Sequence, residues 1–287
     1  MPDPTSPLLH FDALAPMRAQ VRAWRSDGEA VVLVPTMGAL HAGHLALVDH
    51  ARGLGRRVVV SIFVNPTQFG PNEDFGRYPR DSAADLGLLR GVGTDAAWVP
   101  DTATMYPEGF TTRIEVPGPS EDLCGAFRPG HFSGVATVVM KLVNQVQPDA
   151  ALFGEKDFQQ LHVIRRAMRD LDRDVAIHGM PTLREADGLA LSSRIRYLTP
   201  EERVAAPRLH AVLTGVAEGL AAGKDAGPLL DEGRALLETA GFSPVQYLEA
   251  RDADTLAPIA RATGPARVLA AAYLGRTRLI DNVAVAL

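Results

Sequence analysis

The chain of 287 residues contains a single cysteine, Cys124, which rules out an intrachain disulfide and any cysteine-rich zinc site. That usage fits a reducing compartment, and a cytoplasmic location is expected. No apolar run approaches the ~20 residues that a membrane-spanning helix needs. The longest, residues 58–64 and 268–274, are of strand length. The opening Met1-Pro2-Asp3-Pro4-Thr5-Ser6-Pro7 lacks a basic stretch and an apolar one, so no signal peptide is expected. Positive charge is not in excess either. Lys and Arg total 29 against 34 Asp and Glu, for a net charge of -5, which argues against nucleic acid or an anionic membrane as partner. Lysine occurs only at Lys141, Lys156 and Lys224. Each is therefore worth inspecting wherever a compact ammonium is needed, because arginine does not substitute for one.

What is present is a folded composition, 46% hydrophobic and 22% charged. The length suits one large domain or two modest ones. Residues 31–34 read as a strand ending in a Pro-Thr-Met-Gly turn, and residues 41–54 as a helix with Leu47, Ala51 and Leu54 on one face. Residues 58–64 are apolar almost throughout, as befits a strand buried on both faces of a parallel sheet. The pattern continues with helices over 81–90, 133–146 and 158–171 and strands over 96–99, 150–153 and 175–178. Such alternation predicts an α/β fold, a Rossmann-like parallel sheet covered by helices, over residues 1–182. Beyond it the pattern changes. Thr199-Pro200-Glu201-Glu202 is a capping box opening a helix to about residue 222. A second helix follows over 228–240, then strands over 245–250, 267–274 and 277–283, the last two joined by Gly275-Arg276 as in a hairpin. Residues 183–287 are thus expected to form a smaller C-terminal α+β domain, a lid, with the binding crevice beside it.

Four segments carry chemistry. The first, Pro35-Thr36-Met37-Gly38-Ala39-Leu40-His41-Ala42-Gly43-His44, sits where a strand hands over to a helix, the edge at which open α/β sheets bind ligands. His41 and His44 are spaced to share one face of the first helical turn, whose unpaired N–H groups suit a phosphate. Two solvated histidines at a helix start are the plainer reading, and a zinc site lacks a third ligand nearby. The second, Asn65-Pro66-Thr67-Gln68-Phe69, brings amides to the end of an apolar strand; amides both donate and accept, as a hydroxylated carboxylate requires. By itself it also reads as an Asn-Pro turn. The third, Phe153-Gly154-Glu155-Lys156-Asp157-Phe158-Gln159-Gln160, puts Lys156 at a helix N-terminus, electrostatically misplaced unless an anion binds there. The fourth, Arg184 to Arg194, ends in Ser192-Ser193-Arg194, a donor-rich loop able to grip phosphates or an ordinary linker. Arg128-Pro129-Gly130-His131 reads as a loop whose basic pair could face the cleft.

Taken together and in this order, the four segments and the stretch 128–142 resemble the pantothenate synthetase (pantoate–β-alanine ligase) family of the His-x-Gly-His nucleotidyltransferase superfamily. The resemblance covers most of residues 30–200. It implies ATP-dependent condensation of pantoate with β-alanine through pantoyl adenylate, giving pantothenate, AMP and pyrophosphate. It further implies His41, His44 and Lys156 as catalytic groups at the nucleotide phosphates. Ser192, Ser193 and Arg194 would also hold the triphosphate, with Gly154 and Asp157 near the ribose and Met37 offering its backbone N–H. Gln68 and Gln160 would bind pantoate, with Asn65 supporting that pocket and Asp85 on its polar rim. Mg²⁺ would accompany ATP on phosphate oxygens, no protein-held metal is implied, and a homodimer is expected. The family's usual Met-Ser-Ser-Arg-Asn is here Leu191-Ser192-Ser193-Arg194-Ile195, and Phe158 stands where Tyr is common. Two rival readings remain: another nucleotidyltransferase of the superfamily, which would want more basic residues than Asn65 and Gln68, and a nucleotide-binding protein without catalysis.

Overall fold

A computed structural model describes residues 7–71 and 73–287; the reading of residues 1–6 falls outside the described residues. The chain divides into two compact units. One runs to Glu155 and resumes over Gln160–Pro181; the other comprises Thr182–Leu287 together with Lys156–Gln159. That four-residue excursion is invisible to the strand–helix periodicity, which runs straight through it.

The first unit is built on β1 (Leu9–Phe11), β2 (Val31–Thr36), β3 (Arg57–Ile62), β4 (Ala96–Trp98), β5 (Ala150–Gly154) and β6 (Ala176–Met180). All pair in parallel, in the order β1-β4-β3-β2-β5-β6. The helices are α1 (Leu14–Ser26), α2 (Ala42–Leu54), α3 (Ser82–Gly91), the short α4 (Thr102–Met105) and α5 (Cys124–Phe127), then α6 (His131–Val146) and α7 (Phe158–Asp170). The central strand β2 is buried on both faces, and its side chains alternate between two cores. Val31 and Leu33 pack with Met17, Val135, Val139 and Ile164, whereas Val32 and Val34 pack with Leu47, Val48 and Leu89. This is why a β-branched run replaces simple alternation there. The β-branched α6 is helical because nearly every side chain on it is buried, so packing overrides propensity.

The parallel-sheet fold expected for this part is present, with two additions at its start. Strand β1 is three residues long, too short to show a period. Helix α1 buries Met17, Val21 and Trp24 at i, i+4 and i+7, a pattern that the reading of residues 31 onward did not reach.

In the second unit, α8 (Pro200–Ala205), α9 (Arg208–Ala221) and α10 (Ala226–Thr239) precede an antiparallel sheet of β7 (Phe242–Asp252), β8 (Ala266–Leu274) and β9 (Thr277–Val285). The single helix expected over 200–222 is two: Pro207 has no N–H to donate and its ring crowds the preceding turn, so the helix breaks at that point. The capping box is formed, with Thr199 accepting from the Glu202 N–H and Glu202 from that of Thr199. Val212, Val216 and Leu220 of α9 close a core over Leu248, Val268, Ala270 and Leu279.

Candidate active site

The loop from β2 to α2 is tightly constrained. Gly38 and Ala39 both take left-handed conformations, with φ of 77° and 51°. A side chain at Gly38 would stand 2.8 Å from an Asp85 carboxylate oxygen and 3.1 Å from Ile62. Asp85, on α3, accepts from the backbone N–H of Ala39 at 2.9 Å and of Leu40 at 2.8 Å. It is 4% exposed. The expectation of Asp85 on a polar rim is therefore wrong: its carboxylate is consumed inside, satisfying two amides that the left-handed turn would otherwise strand.

That anchor delivers His41 to the N-cap of α2 rather than to its first turn. His41 Nδ1 accepts from the Gly43 N–H at 3.2 Å, and His44 Nδ1 from the His41 N–H at 3.4 Å, a capping box made of two imidazoles. The rings lie 4.1 Å apart between centroids. In both rings it is Nδ1 that accepts, so imidazole nitrogens take the capping role that a hydroxyl or carboxylate usually fills. Two imidazoles and the helix N-terminus make a site suited to an anionic group.

At the end of β3, Asn65 is 1% exposed and spends its amide internally. Nδ2 donates to Gln68 Oε1 and to the Gly134 carbonyl, both at 3.1 Å, while Oδ1 accepts from Tyr106 at 2.7 Å and from Thr67. With its carbonyl oxygen fixed by Asn65, Gln68 turns Nε2 toward the sulfur of Met37, 3.1 Å away. Helix α6 can come this close only because residue 134 is glycine: a Cβ there would lie 2.4 Å from the Thr67 carbonyl oxygen. A cavity of about 700 Å³ opens beside Gln68, walled in part by Thr67, Tyr106, Phe110, His131 and Ser133.

Sequence reasoning missed what stands behind Gln68. The expectation that Arg128 and His131 face a cleft holds for His131, which walls that cavity, and fails for Arg128. Arg128 grips Glu73 through two hydrogen bonds of 2.6 Å and also reaches the Gln68 carbonyl, while His131 Nδ1 lies 2.8 Å from that same oxygen. Burial raises the Glu73 carboxyl, but the Arg128 hydrogen bonds and charge outweigh it and hold the group below its usual range. The missed signal was a long-range one, since Glu73 and Arg128 are far apart in sequence.

Of the other expected residues, Gly154 ends β5 and Gln160 lies in the first turn of α7. In the second unit, Lys156 and Asp157 occupy a 3₁₀ turn just before α7, with 3.9 Å between ammonium and carboxylate, beyond hydrogen-bonding distance. Ser192 caps a further 3₁₀ turn, Ser193–Tyr197, by accepting from the Arg194 N–H at 3.3 Å. Ile195, the apparent departure, packs against the core of the second unit and pins this turn by apolar contact. Phe158 lies under the Arg267 guanidinium, 3.9 Å from ring centre to carbon, a contact that needs no hydroxyl. The structure thus gathers Met37, His41, His44, Asn65 and Gln68 in one unit, and Lys156, Asp157, Ser192, Ser193 and Arg194 in the other.

A parallel α/β sheet with a histidine-capped helix at its carboxyl edge, flanked by buried amides, defines a class: a nucleotide-handling α/β protein of the phosphate-at-helix-terminus kind. Within that class the chain belongs to the pantoate-beta-alanine ligase family, whose sequence profile matches residues 10–284. It is 59% identical to a pantothenate synthetase of Paramagnetospirillum magneticum over 273 residues, 95% of this chain and 96% of that one. The crystal structure of pantothenate synthetase from Thermus thermophilus superposes with a TM-score of 0.92 at 46% identity, covering 98% of this chain and all of the other. Pantoate-beta-alanine ligase from Francisella tularensis, complexed with beta-gamma ATP and β-alanine, matches at 0.82 and 33% identity, over 96% of this chain and 97% of that one.

Proposed function

We propose that this chain condenses pantoate with β-alanine at the expense of ATP, through pantoyl adenylate. The observation that carries the reading is the pair of imidazoles capping α2, with the buried Asn65–Gln68 amides in the same unit, in a chain of this family. The pantoate carboxylate attacks the α-phosphorus of ATP and pyrophosphate leaves. A carboxylate is already deprotonated near pH 7, so this step needs in-line placement and charge stabilisation rather than a base. His41 and His44 supply imidazole N–H donors to the phosphates around the reacting phosphorus. Lys156, Ser192, Ser193 and Arg194 hold the triphosphate, Gly154 and Asp157 take the ribose, and the Met37 N–H faces the nucleotide. Gln68 and Gln160 bind the hydroxyls and carboxylate of pantoate. Asn65 acts by fixing Gln68, since its own hydrogen-bonding groups are engaged within the protein. In the second step the amine of β-alanine attacks the acyl carbon, AMP departs and the ammonium proton goes to solvent.

Magnesium is proposed to arrive on the nucleotide. Phosphate oxygens are the hard donors that Mg²⁺ prefers, and it keeps several waters beside them. We further read residues 1–182 as the nucleotide- and pantoate-binding domain and 183–287 as a lid, the protein as a cytoplasmic homodimer, and its partners as small molecules only. No described helix is long and apolar enough to cross a membrane.

Pyrophosphate release tests the reaction. ATP with pantoate should give release limited to enzyme-bound adenylate, and adding β-alanine should make it catalytic. Release that ignores pantoate would favour another nucleotidyltransferase, and ATP binding with no release a non-catalytic protein. Light scattering tests the dimer.

A further inference from the structure

The last strand carries two adjacent polar residues, Asp281 and Asn282, that are 4% and 3% exposed. Buried polar groups are costly unless fully paired, so their partners are informative. Consecutive strand residues point to opposite faces, and these two reach in opposite directions.

On one face, Asp281 receives both arms of Arg184 at 2.6 and 3.0 Å. Arg184 also donates to the carbonyls of Gly188 and Asn282. The segment it holds is a miniature hairpin, closed by a bridge from Arg184 to Ala190, and the Leu191 N–H donates to Leu183. Its outgoing end is Ser192-Ser193-Arg194. On the other face, Asn282 Nδ2 donates to the main-chain carbonyl of Lys156 at 2.9 Å, and Oδ1 accepts from Arg267 at 2.6 Å. Arg267 in turn covers the ring of Phe158, two residues after that lysine. Two adjacent positions of one strand therefore tie down both segments of this unit proposed to hold the triphosphate.

We propose that Asn282 is a positioning residue of the adenylation step, fixing the main chain of Lys156 on the strand that, through Asp281 and Arg184, also anchors the Ser192–Arg194 segment. This rests on the reading of Lys156 as a triphosphate-holding group. A lysine ammonium rides on a flexible four-carbon stem, so it is placed no better than its own Cα. The Asn282 bond restrains that residue directly, and the strand supplies the rigidity that a 3₁₀ turn lacks.

The two half-reactions separate this role from a merely structural one. Adenylate formation needs the triphosphate grip; aminolysis of supplied pantoyl adenylate by β-alanine does not, because the adenylate has no β- or γ-phosphate. Asn282→Asp keeps the acceptor for Arg267 and loses the donor to Lys156; Asn282→Ala loses both. Either is expected to lower kcat/KM for ATP in adenylation about tenfold, equivalent to about 1.4 kcal/mol. KM for pantoate and the aminolysis of supplied adenylate should stay within about twofold, a selectivity that loss of one triphosphate contact predicts. Val268→Ala, a core change in β8, is the structural control and should lower Tm without that split. Two outcomes overturn the proposal: adenylation within about twofold of wild type in Asn282→Asp, or both half-reactions falling together as in Val268→Ala. Lys156→Ala run alongside locates the failure. If it abolishes adenylation while the Asn282 variants do not, only the positioning role is wrong; if it leaves adenylation intact, the triphosphate reading falls and the positioning role with it.

Discussion

Replacing Asp85 by alanine tests whether the histidine site is held from behind. The carboxylate binds two backbone N–H groups, of Ala39 and Leu40, at 2.9 and 2.8 Å, and it is buried. Truncation leaves both amides unpaired, at about 1–3 kcal/mol each. Release of a desolvated carboxylate offsets part of that loss, so a net destabilisation of about 3 kcal/mol is expected. Ala39 would also lose the bond from its own N–H to Asp85 that holds it left-handed, a conformation that alanine resists. At roughly 2–4 °C per kcal/mol for a unit of this size, Tm should fall by roughly 6–12 °C in a calorimetric scan. Because Leu40 immediately precedes His41, kcat/KM for ATP should fall at temperatures where the variant is still folded. Asp85→Asn, which retains one acceptor, should lie in between. A Tm within about 2 °C of wild type, with kcat/KM unchanged, would refute the argument that this carboxylate sets the loop.

His44→Ala and Lys156→Ala should each abolish pantoate-dependent pyrophosphate release while thermal unfolding stays cooperative; full turnover by the double variant would sink the assignment. Gly134→Ala drives a methyl group to 2.4 Å from the Thr67 carbonyl oxygen, so α6 must move off the turn that carries Gln68. Such overpacking costs about 1–3 kcal/mol, and KM for pantoate should rise with it. Acid sensitivity should fall in His210→Gln. Burial, then the charge of Arg184, lowers the His210 pKa against the opposing pull of Asp281. The unfolded chain then binds the proton more readily, so stability declines as pH drops below about 6.5 and levels off below the folded-state value. Urea titrations between pH 7 and 5 should show a shallower decline in the variant; identical slopes would count against His210 as a source.

The sequence by itself determined the alternation that makes the parallel sheet, because strands buried on both faces read as apolar runs and the helices between them keep one apolar stripe. It also marked the segments whose residue types suit ligand chemistry, since histidines at a strand-to-helix junction and amides at a strand end are local features. It placed the Thr199 capping box correctly for the same reason: all of its partners lie within four residues.

Tertiary structure alone decided which of these polar residues are paired with one another. Asp85 and Asn65 have the same side chains whether they line a pocket or satisfy stranded amides, and only burial and partners 46 and 69 residues away show that both are spent internally. Arg128 likewise turns inward because Glu73 waits for it, and Ile195 fits because an apolar core lies beneath it. The scarcity of lysine drew attention to Lys156 along with Lys141 and Lys224, but the tether of Lys156 is Asn282, 126 residues further on in a strand whose sequence pattern carries no chemistry. Side-chain type is written locally, whereas a hydrogen-bond partner is chosen by the fold.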